Sequence, residues 1–251
     1  MRVGSFILIA FFIGISSVFS QEKATTVSDD GLKLFYRTEM YGGLLIHTNG
    51  YGINFRKGFR KTGFSKRLLS IEVVNMKHPK QYKSYNPYYD DTKGFFFGKM
   101  NSLSIIRPAI GHQKVLYGKE VKRGVQISYL YFAGASIGLV KPVYLEIAYP
   151  TVPTYKTLST EKYDSEEHTI DQIFGRAPAT KGIEETKIYP GFHGKVALNF
   201  EYAPADDMLR AIETGVSLDA FHKKVPIMAF SRNSQFFLTL YINVQFGKKY
   251  L

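Results

Sequence analysis

The sequence predicts an all-β fold, an antiparallel up-and-down transmembrane β-barrel of about eight strands. Three observations support this fold class. The 251-residue chain begins with an apolar leader, several later segments alternate polar and apolar residues with a period of two, and the connections between those segments alternate between short and long.

Residues 1–20 have the layout of a secretory signal peptide. Arg2 supplies a positive start, residues 6–15 form an apolar run, and small residues lead up to Ser20. We expect cleavage after Ser20, which leaves residues 21–251 as a single domain. The alternative is a membrane anchor, but the apolar run is shorter than the roughly 20 residues that a spanning helix needs.

Composition narrows the functional classes. Hydrophobic residues make up 45% of the chain, and its 20 Phe and 18 Tyr exclude a disordered protein. There is no cysteine, which excludes a disulfide scaffold and a cysteine nucleophile. The formal net charge is +12, or +11 once Arg2 is lost with the leader. We expect an exported chain with this basic excess to meet anionic lipid or glycan, not nucleic acid.

Residues 236–246 show the strand pattern most clearly. One face carries only Phe, Leu, Ile and Val, and the other carries Thr, Tyr, Asn and Gln after Phe237. About eleven alternating residues match the length of a bilayer-spanning strand. The same alternation predicts strands at residues 125–139, 195–202 and 211–221, and noisier patterns predict strands at residues 35–47, 51–61, 68–76 and 99–116. Pro108 has no backbone N–H, so we expect a bulge or a strand end there.

The lengths of the connections test the barrel independently of the strand pattern. After a tight turn at residues 48–50, short connections alternate with long ones, in the order 62–66, about 77–98, 117–123, about 150–190, 204–207 and about 223–234. Outer-membrane barrels have short periplasmic turns and longer external loops, with both termini on the periplasmic side. A soluble secreted β-sandwich that binds glycan or protein is the alternative fold, but nothing in that fold explains why short and long connections alternate.

These features resemble the small outer-membrane β-barrel proteins of Gram-negative bacteria, and among them most of all those of the Bacteroidota. The resemblance implies a C-terminal signal that the barrel assembly machinery reads. Members of this class typically end on Phe or Trp, whereas this chain ends on Tyr250 and Leu251, so recognition is expected to use Phe246, Tyr250 or Leu251. The resemblance also implies a structural or accessory subunit of an envelope secretion or assembly complex.

Strand parity assigns six charged side chains to the barrel lumen: Arg56, Glu72, Arg107, Glu201, Glu213 and Asp219. The lumen of an eight-stranded barrel is just wide enough for side chains. Because isolated buried charges are costly, we expect these residues to form ion pairs that fill the barrel. The alternative is a narrow polar or proton-conducting path.

Lysine and tyrosine alternate in the loop at residues 77–98, where we place a binding surface on Lys80, Tyr82, Lys83, Tyr85, Tyr88 and Tyr89. Such a surface suits lipopolysaccharide phosphates, glycan rings or another envelope protein; the alternative is an aromatic girdle with solvated lysines. The loop at about residues 150–190 is expected to fold against the barrel mouth or a partner.

Basic residues near the short turns and the C-terminus predict a positive periplasmic rim made of Lys66, Arg67, Lys119, Lys122, Arg123, Lys248 and Lys249. We expect this rim to face phospholipid headgroups or an acidic partner, with ordinary snorkelling lysines as the alternative.

The sequence contains six histidines but neither an H-x-x-x-H metal spacing nor a G-x-S-x-G elbow. We therefore predict no catalytic residue, no metal and no cofactor. A barrel enzyme acting on lipid A is the alternative function.

Overall fold

The computed structural model describes residues 37–88, 92–118, 124–151, 155–202 and 208–250. Several sequence-based predictions therefore lie outside the described residues: the leader and its cleavage site, the turn at 204–207, and Tyr89, Lys119, Lys122, Arg123 and Leu251. The strands are β1 (Thr38–His47), β2 (Gly50–Thr62), β3 (Ser65–Met76), β4 (Asn101–Tyr117), β5 (Val125–Pro142), β6 (Tyr144–Thr151), β7 (Tyr155–Lys162), β8 (Ile173–Arg176), β9 (Lys187–Tyr202), β10 (Met208–Phe221) and β11 (Phe236–Tyr250).

Eight of these strands close into an antiparallel barrel in the order β1-β11-β10-β9-β5-β4-β3-β2. The first and last strands pair along their whole shared length, from Thr38 opposite Tyr250 to His47 opposite Tyr241. Closure leaves none of the eight barrel strands with an unpaired edge, as a strand in contact with lipid requires. The predicted fold class is confirmed, and a two-sheet sandwich is excluded.

Two strand predictions were wrong in detail. Strand β9 begins at Lys187, eight residues before the predicted start, because Pro190 and the neighbouring glycines hide its alternation. Strand β4 shows neither a bulge nor an end at Pro108. Around Pro108 its pairing with β5 is interrupted at Arg107 and Pro108 and resumes in the same register, and the one shift of register between these strands lies further along, between Val115 and Tyr117.

Alternation along the strands separates a buried lumen face from an exposed outer face. In β11, Tyr241 and Asn243 are buried, whereas Leu238 and Ile242 on the opposite face are 66% and 57% exposed. All five carboxylate side chains of the barrel strands point into the lumen. The described outer wall is therefore apolar, with cations near the strand ends. Within the described ranges, no helix has the length and apolar content needed to span a bilayer.

The longest connection folds into a small sheet of its own. Residues 143–186 contain β6, β7 and β8, which pair in the order β7-β6-β8. A short 3-10 turn at Ile170–Gln172 leads into β8. The sequence-based prediction of a long loop at about 150–190 included no strand there, because the strands of this sheet are only four to eight residues long and β6 contains Pro150.

Candidate functional site

The middle of the lumen is filled by an ion-paired network. The guanidinium of Arg56 lies between two carboxylates: Nη2 is 3.1 Å from Glu72 Oε1 and 2.9 Å from Glu213 Oε1. Lys195 Nζ bridges the same two acids, at 2.5 Å from Glu72 and 3.1 Å from Glu213. The hydroxyl of Tyr241 donates a further hydrogen bond of 2.6 Å to Glu213. All these groups are buried, so each charge is compensated by a directly paired opposite charge.

A second group surrounds Asp219 nearer the external end. Arg107 Nε and Nη2 contact Oδ1 and Oδ2 of Asp219 at 3.0 and 2.5 Å, a two-point pair. The hydroxyl of Ser136 donates to Asp219 at 2.6 Å, and His193 Nδ1 lies 3.1 Å away. Arg107 Nη1 is also 3.7 Å from Glu72, which connects this group to the central network.

A third group closes the opposite end of the lumen, where the short turns lie. Lys66 Nζ lies 2.7 Å from Glu39 and 3.9 Å from Glu201, and Lys249 Nζ lies 2.6 Å from Glu201. The prediction that Lys66 and Lys249 belong to a positive outer rim is therefore wrong. Strand β3 begins at Ser65, and strand parity then directs Lys66 inward. Arg67, which follows Lys66, and Lys248, which precedes Lys249, do point outward.

Ion pairs in the described lumen involve five cations and five carboxylates, so the formal charges cancel. All six residues that strand parity assigned to the lumen lie there and are buried. Four further charged residues of the lumen, Glu39, Lys66, Lys195 and Lys249, were not predicted from the sequence, and neither were the hydrogen bonds of His193 and Ser136 to Asp219. The signal was present for Lys195, which shares strand parity with Glu201.

The external mouth of the barrel is closed by apolar side chains. Val225, Ile227 and Met228, from the connection between β10 and β11, are at most 5% exposed and pack on residues of several strands, including Leu103 and Phe221. The side-chain carbonyl of Asn233 accepts hydrogen bonds from the amides of Ile227 and Met228. This inserted segment covers the lumen from outside.

The described parts of the three long connections, residues 77–88, 92–100, 143–151, 155–186 and 222–235, pack together into what we call the external cap. Phe95 is fully buried beside Leu145, Ile147 and Ile173 of the small sheet. Phe97 stacks on Phe230 with ring centroids 5.7 Å apart, which joins the first connection to the third.

Asn86 fixes the first connection onto the cap. Its side-chain amide donates to the carbonyls of Ile170, Asp171 and Ile173 at 2.8–3.2 Å, and its side-chain oxygen accepts from the amide of Tyr88 at 2.9 Å. Asn86 itself is 3% exposed. The loop is thus held by a buried side chain with satisfied hydrogen bonds.

The anchored loop presents tyrosines to solvent. Tyr82, Tyr85 and Tyr88 are 74%, 57% and 71% exposed. Lys83 Nζ lies 4.9 Å from the ring centre of Tyr85, and both side chains cross the backbone at Gly94, where a Cβ atom would lie 2.3 Å from Lys83. We call Lys80, Tyr82, Lys83, Tyr85 and Tyr88 the lysine–tyrosine face.

Lysines also gather at the external rim beside the cap. Burial, together with the charges of Lys77 and Lys141, lowers the pKa of Lys99 to about 8. Lys77 follows β3, Lys99 precedes β4 and Lys141 lies at the end of β5, and these three strands are neighbours in the barrel. Lys141 Nζ donates to the carbonyls of Ala179 and Lys181.

Fold and site together define a closed eight-stranded barrel with an apolar outer wall, a lumen filled by ion pairs, and an ordered external cap. No protein-family model matches the chain, and no curated protein is similar to it in sequence. The chain is similar to several solved structures, of which three are described next.

The first is Ail, the attachment invasion locus protein of Yersinia pestis, in complex with the heparin analogue sucrose octasulfate. It has a TM-score of 0.41 and 8% identity, covering 85% of this chain and 97% of that chain. Neisserial surface protein A has a TM-score of 0.38 and 6% identity, covering 85% and 96%. The N-terminal β-barrel domain of Pseudomonas aeruginosa OprF has a TM-score of 0.36 and 6% identity, covering 84% and 98%.

Proposed function

We propose that this protein is a non-enzymatic outer-membrane β-barrel, a structural or accessory subunit of an envelope secretion or assembly complex that binds partner proteins through its external cap. The observation that supports this function is the lysine–tyrosine face, in which three exposed tyrosines are held in place by the buried Asn86. Exposed tyrosines on a rigid support are typical of protein interfaces, because they bury large area at low entropic cost.

The apolar outer wall supports the membrane location. Phe192, Leu238 and Ile242 are more than half exposed, which is costly in water and favourable in lipid. We expect the protein to fractionate with the outer membrane and its boiled and unboiled forms to migrate differently in gels. N-terminal sequencing should begin at Gln21. Release from cells without detergent would contradict the membrane location.

The partner-binding proposal is tested by co-purification in mild detergent after crosslinking in cells. The triple variant Tyr82→Ser/Tyr85→Ser/Tyr88→Ser should lose a stoichiometric partner, with roughly a tenfold fall in enrichment. Ile183→Ser is the matched control, because Ile183 is 56% exposed on another part of the same cap. Equal enrichment in both variants would contradict a role for the lysine–tyrosine face.

The barrel assembly machinery is the partner that we propose for biogenesis. The C-terminal strand pairs with β1 to close the barrel, and its side chains Phe246 and Tyr250 are 59% and 48% exposed on the outer face. Phe246→Ser should reduce the amount of folded barrel in the outer membrane. Val244→Ser, two residues earlier on the same face of the strand, should reduce it much less. Equal losses would contradict a specific signal at Phe246.

We also propose lipopolysaccharide as a ligand of the external rim. Lys77, Lys99 and Lys141 come from neighbouring strand ends, and the lowered pKa of Lys99 reflects burial beside like charges. An anionic phosphate would relieve this repulsion. The variant Lys77→Gln/Lys99→Gln should lower the amount of lipopolysaccharide that co-purifies. The control variant Lys223→Gln/Lys224→Gln, in the connection between β10 and β11, should not.

A further inference from the structure

A groove runs along the outer wall over β2, β3, β4 and β5, in the half of the barrel nearer the periplasmic turns. Its lower part, of about 270 Å³, is lined by polar groups that include Lys61, Ser65, Arg67 and His112. Its upper part, of about 580 Å³, is lined mostly by apolar side chains, with Lys57 as the charged residue among them. Ile110 and Ala133 line both parts, so the groove is continuous.

The strand register explains the depression in the wall. Leu69, Ile110 and Ala133 lie side by side on adjacent strands, and in the next outward row Ile71 lies beside Pro108. Ala133 and Pro108 are smaller than the side chains of Leu69, Ile71 and Ile110 that line the groove beside them. Phe55 and Tyr131 rise on either side, at 50% exposure each, and form the banks of the groove.

The two ends of the groove differ in chemistry. Arg67, His112 and Tyr131 form one row across three strands at the lower end. The hydroxyl of Ser65 lies 3.0 Å from His112 Nε2, while His112 Nδ1 has no hydrogen-bond partner among the described residues. Neither Lys61 nor Arg67 has a carboxylate within ion-pair distance in the described ranges, since every acid of the barrel strands points into the lumen.

We propose that this groove is a binding site for a phospholipid of the periplasmic leaflet that carries a net-negative headgroup. The headgroup phosphate lies against Lys61 and Arg67, and one acyl chain follows the apolar part toward Pro108. From the row of Arg67 to the row of Ile71 is four residues, or about 14 Å along the strand, which fits within one leaflet of a hydrocarbon core about 30 Å thick. The site rests on the proposed membrane location of the barrel.

Native mass spectrometry of the detergent-purified protein tests this site, with palmitoyl-oleoyl phosphatidylglycerol and the matching phosphatidylcholine as probes. The wild-type barrel should retain phosphatidylglycerol preferentially. Lys61→Gln/Arg67→Gln should bind it roughly tenfold more weakly, because two cation–phosphate contacts are lost. Arg210→Gln/Lys248→Gln is the matched control, since these two residues are also outward cations near the periplasmic end, but away from the groove.

A second pair of variants tests the apolar part without changing charge. Ala133→Phe fills the groove and should weaken phosphatidylglycerol retention, while Val216→Phe on the opposite wall should leave it unchanged. Gel migration before and after heating checks that every variant is folded. Three outcomes would overturn the site. They are equal retention of both lipids, equal effects of the two charge variants, and the mass of a protein dimer in place of a barrel with bound lipid. If the protein still fractionates with the outer membrane, such a result rejects only the lipid site. Failure to fractionate with the membrane would reject the proposed function itself.

Discussion

Arg107 and Asp219 form a two-point ion pair across the barrel lumen, with Nε 3.0 Å from Oδ1 and Nη2 2.5 Å from Oδ2. Arg107 lies on β4 and Asp219 on β10, and two other strands separate these in the barrel order. The pair therefore connects two strands that are not neighbours through the interior, where both side chains are at most 1% exposed.

Replacement of Arg107 by methionine should destabilise the barrel by about 3–5 kcal/mol, because Asp219 is left buried with an uncompensated charge. The free energy of unfolding is measured in urea from the loss of the folded gel band. The double variant Arg107→Met/Asp219→Asn should cost less than the sum of the single variants.

The control for this prediction is Lys162→Ala in the cap. Lys162 pairs with Glu185 at 2.5 Å, but the two side chains are 53% and 43% exposed. Solvent screens exposed pairs, so little change is expected. If Arg107→Met were no more destabilising than Lys162→Ala, the lumen pair would not contribute as described.

Asn86→Asp should release the loop that carries the lysine–tyrosine face. The substitution places a carboxylate oxygen where an amide donates to three carbonyls, so attraction becomes repulsion. Trypsin cleavage after Lys80 and Lys83 should become at least about tenfold faster, since it reports local opening. Glu146→Gln, which breaks only the exposed pair with Lys93, should change the rate much less. An unchanged rate in Asn86→Asp would show that the loop is held by other contacts.

The purified barrel should not conduct ions in a planar bilayer. The lumen is occupied by paired charges, and Val225, Ile227 and Met228 cover its external mouth. A variant in which residues 224–229 are replaced by glycines should remain closed, because the ion pairs below are untouched. Regular conductance steps from the wild-type protein would instead support the narrow polar path.

Stability should increase with pH above about 8, owing to Lys99, which lies outside the barrel strands. Its pKa is lowered to about 8 from an ordinary value of 10.5, so between these values the unfolded chain binds more protons than the folded one. The free energy of unfolding therefore rises with pH across this window. Lys99→Met should flatten the dependence when urea midpoints are compared at pH 7.5 and 9.5. An equal slope in both proteins would assign the effect to another group.

Period-two alternation was sufficient to locate all eight barrel strands and the faces of most of them. Side chains of a strand alternate between two sides, so the polarity of each position is a local property of the sequence. The same parity placed Arg56, Glu72 and Asp219 inside. It failed where proline and glycine blur the pattern, as at Pro190, and where the predicted turn 62–66 covered the first two residues of β3, Ser65 and Lys66.

Which residues meet across the lumen was decided only by the tertiary structure. Arg56 and Glu213 are 157 residues apart, and their contact depends on barrel closure and on the shear between strands. The folding of three connections into one cap also depends on such distant contacts, as between Phe97 and Phe230. By itself, the sequence determined the strands, their faces and the side from which the long loops emerge, because these follow from short-range periodicity. The ion-pair partners, the covered mouth, the exposed tyrosines and the groove on the outer wall required the closed barrel, because each is formed by residues that only closure brings together.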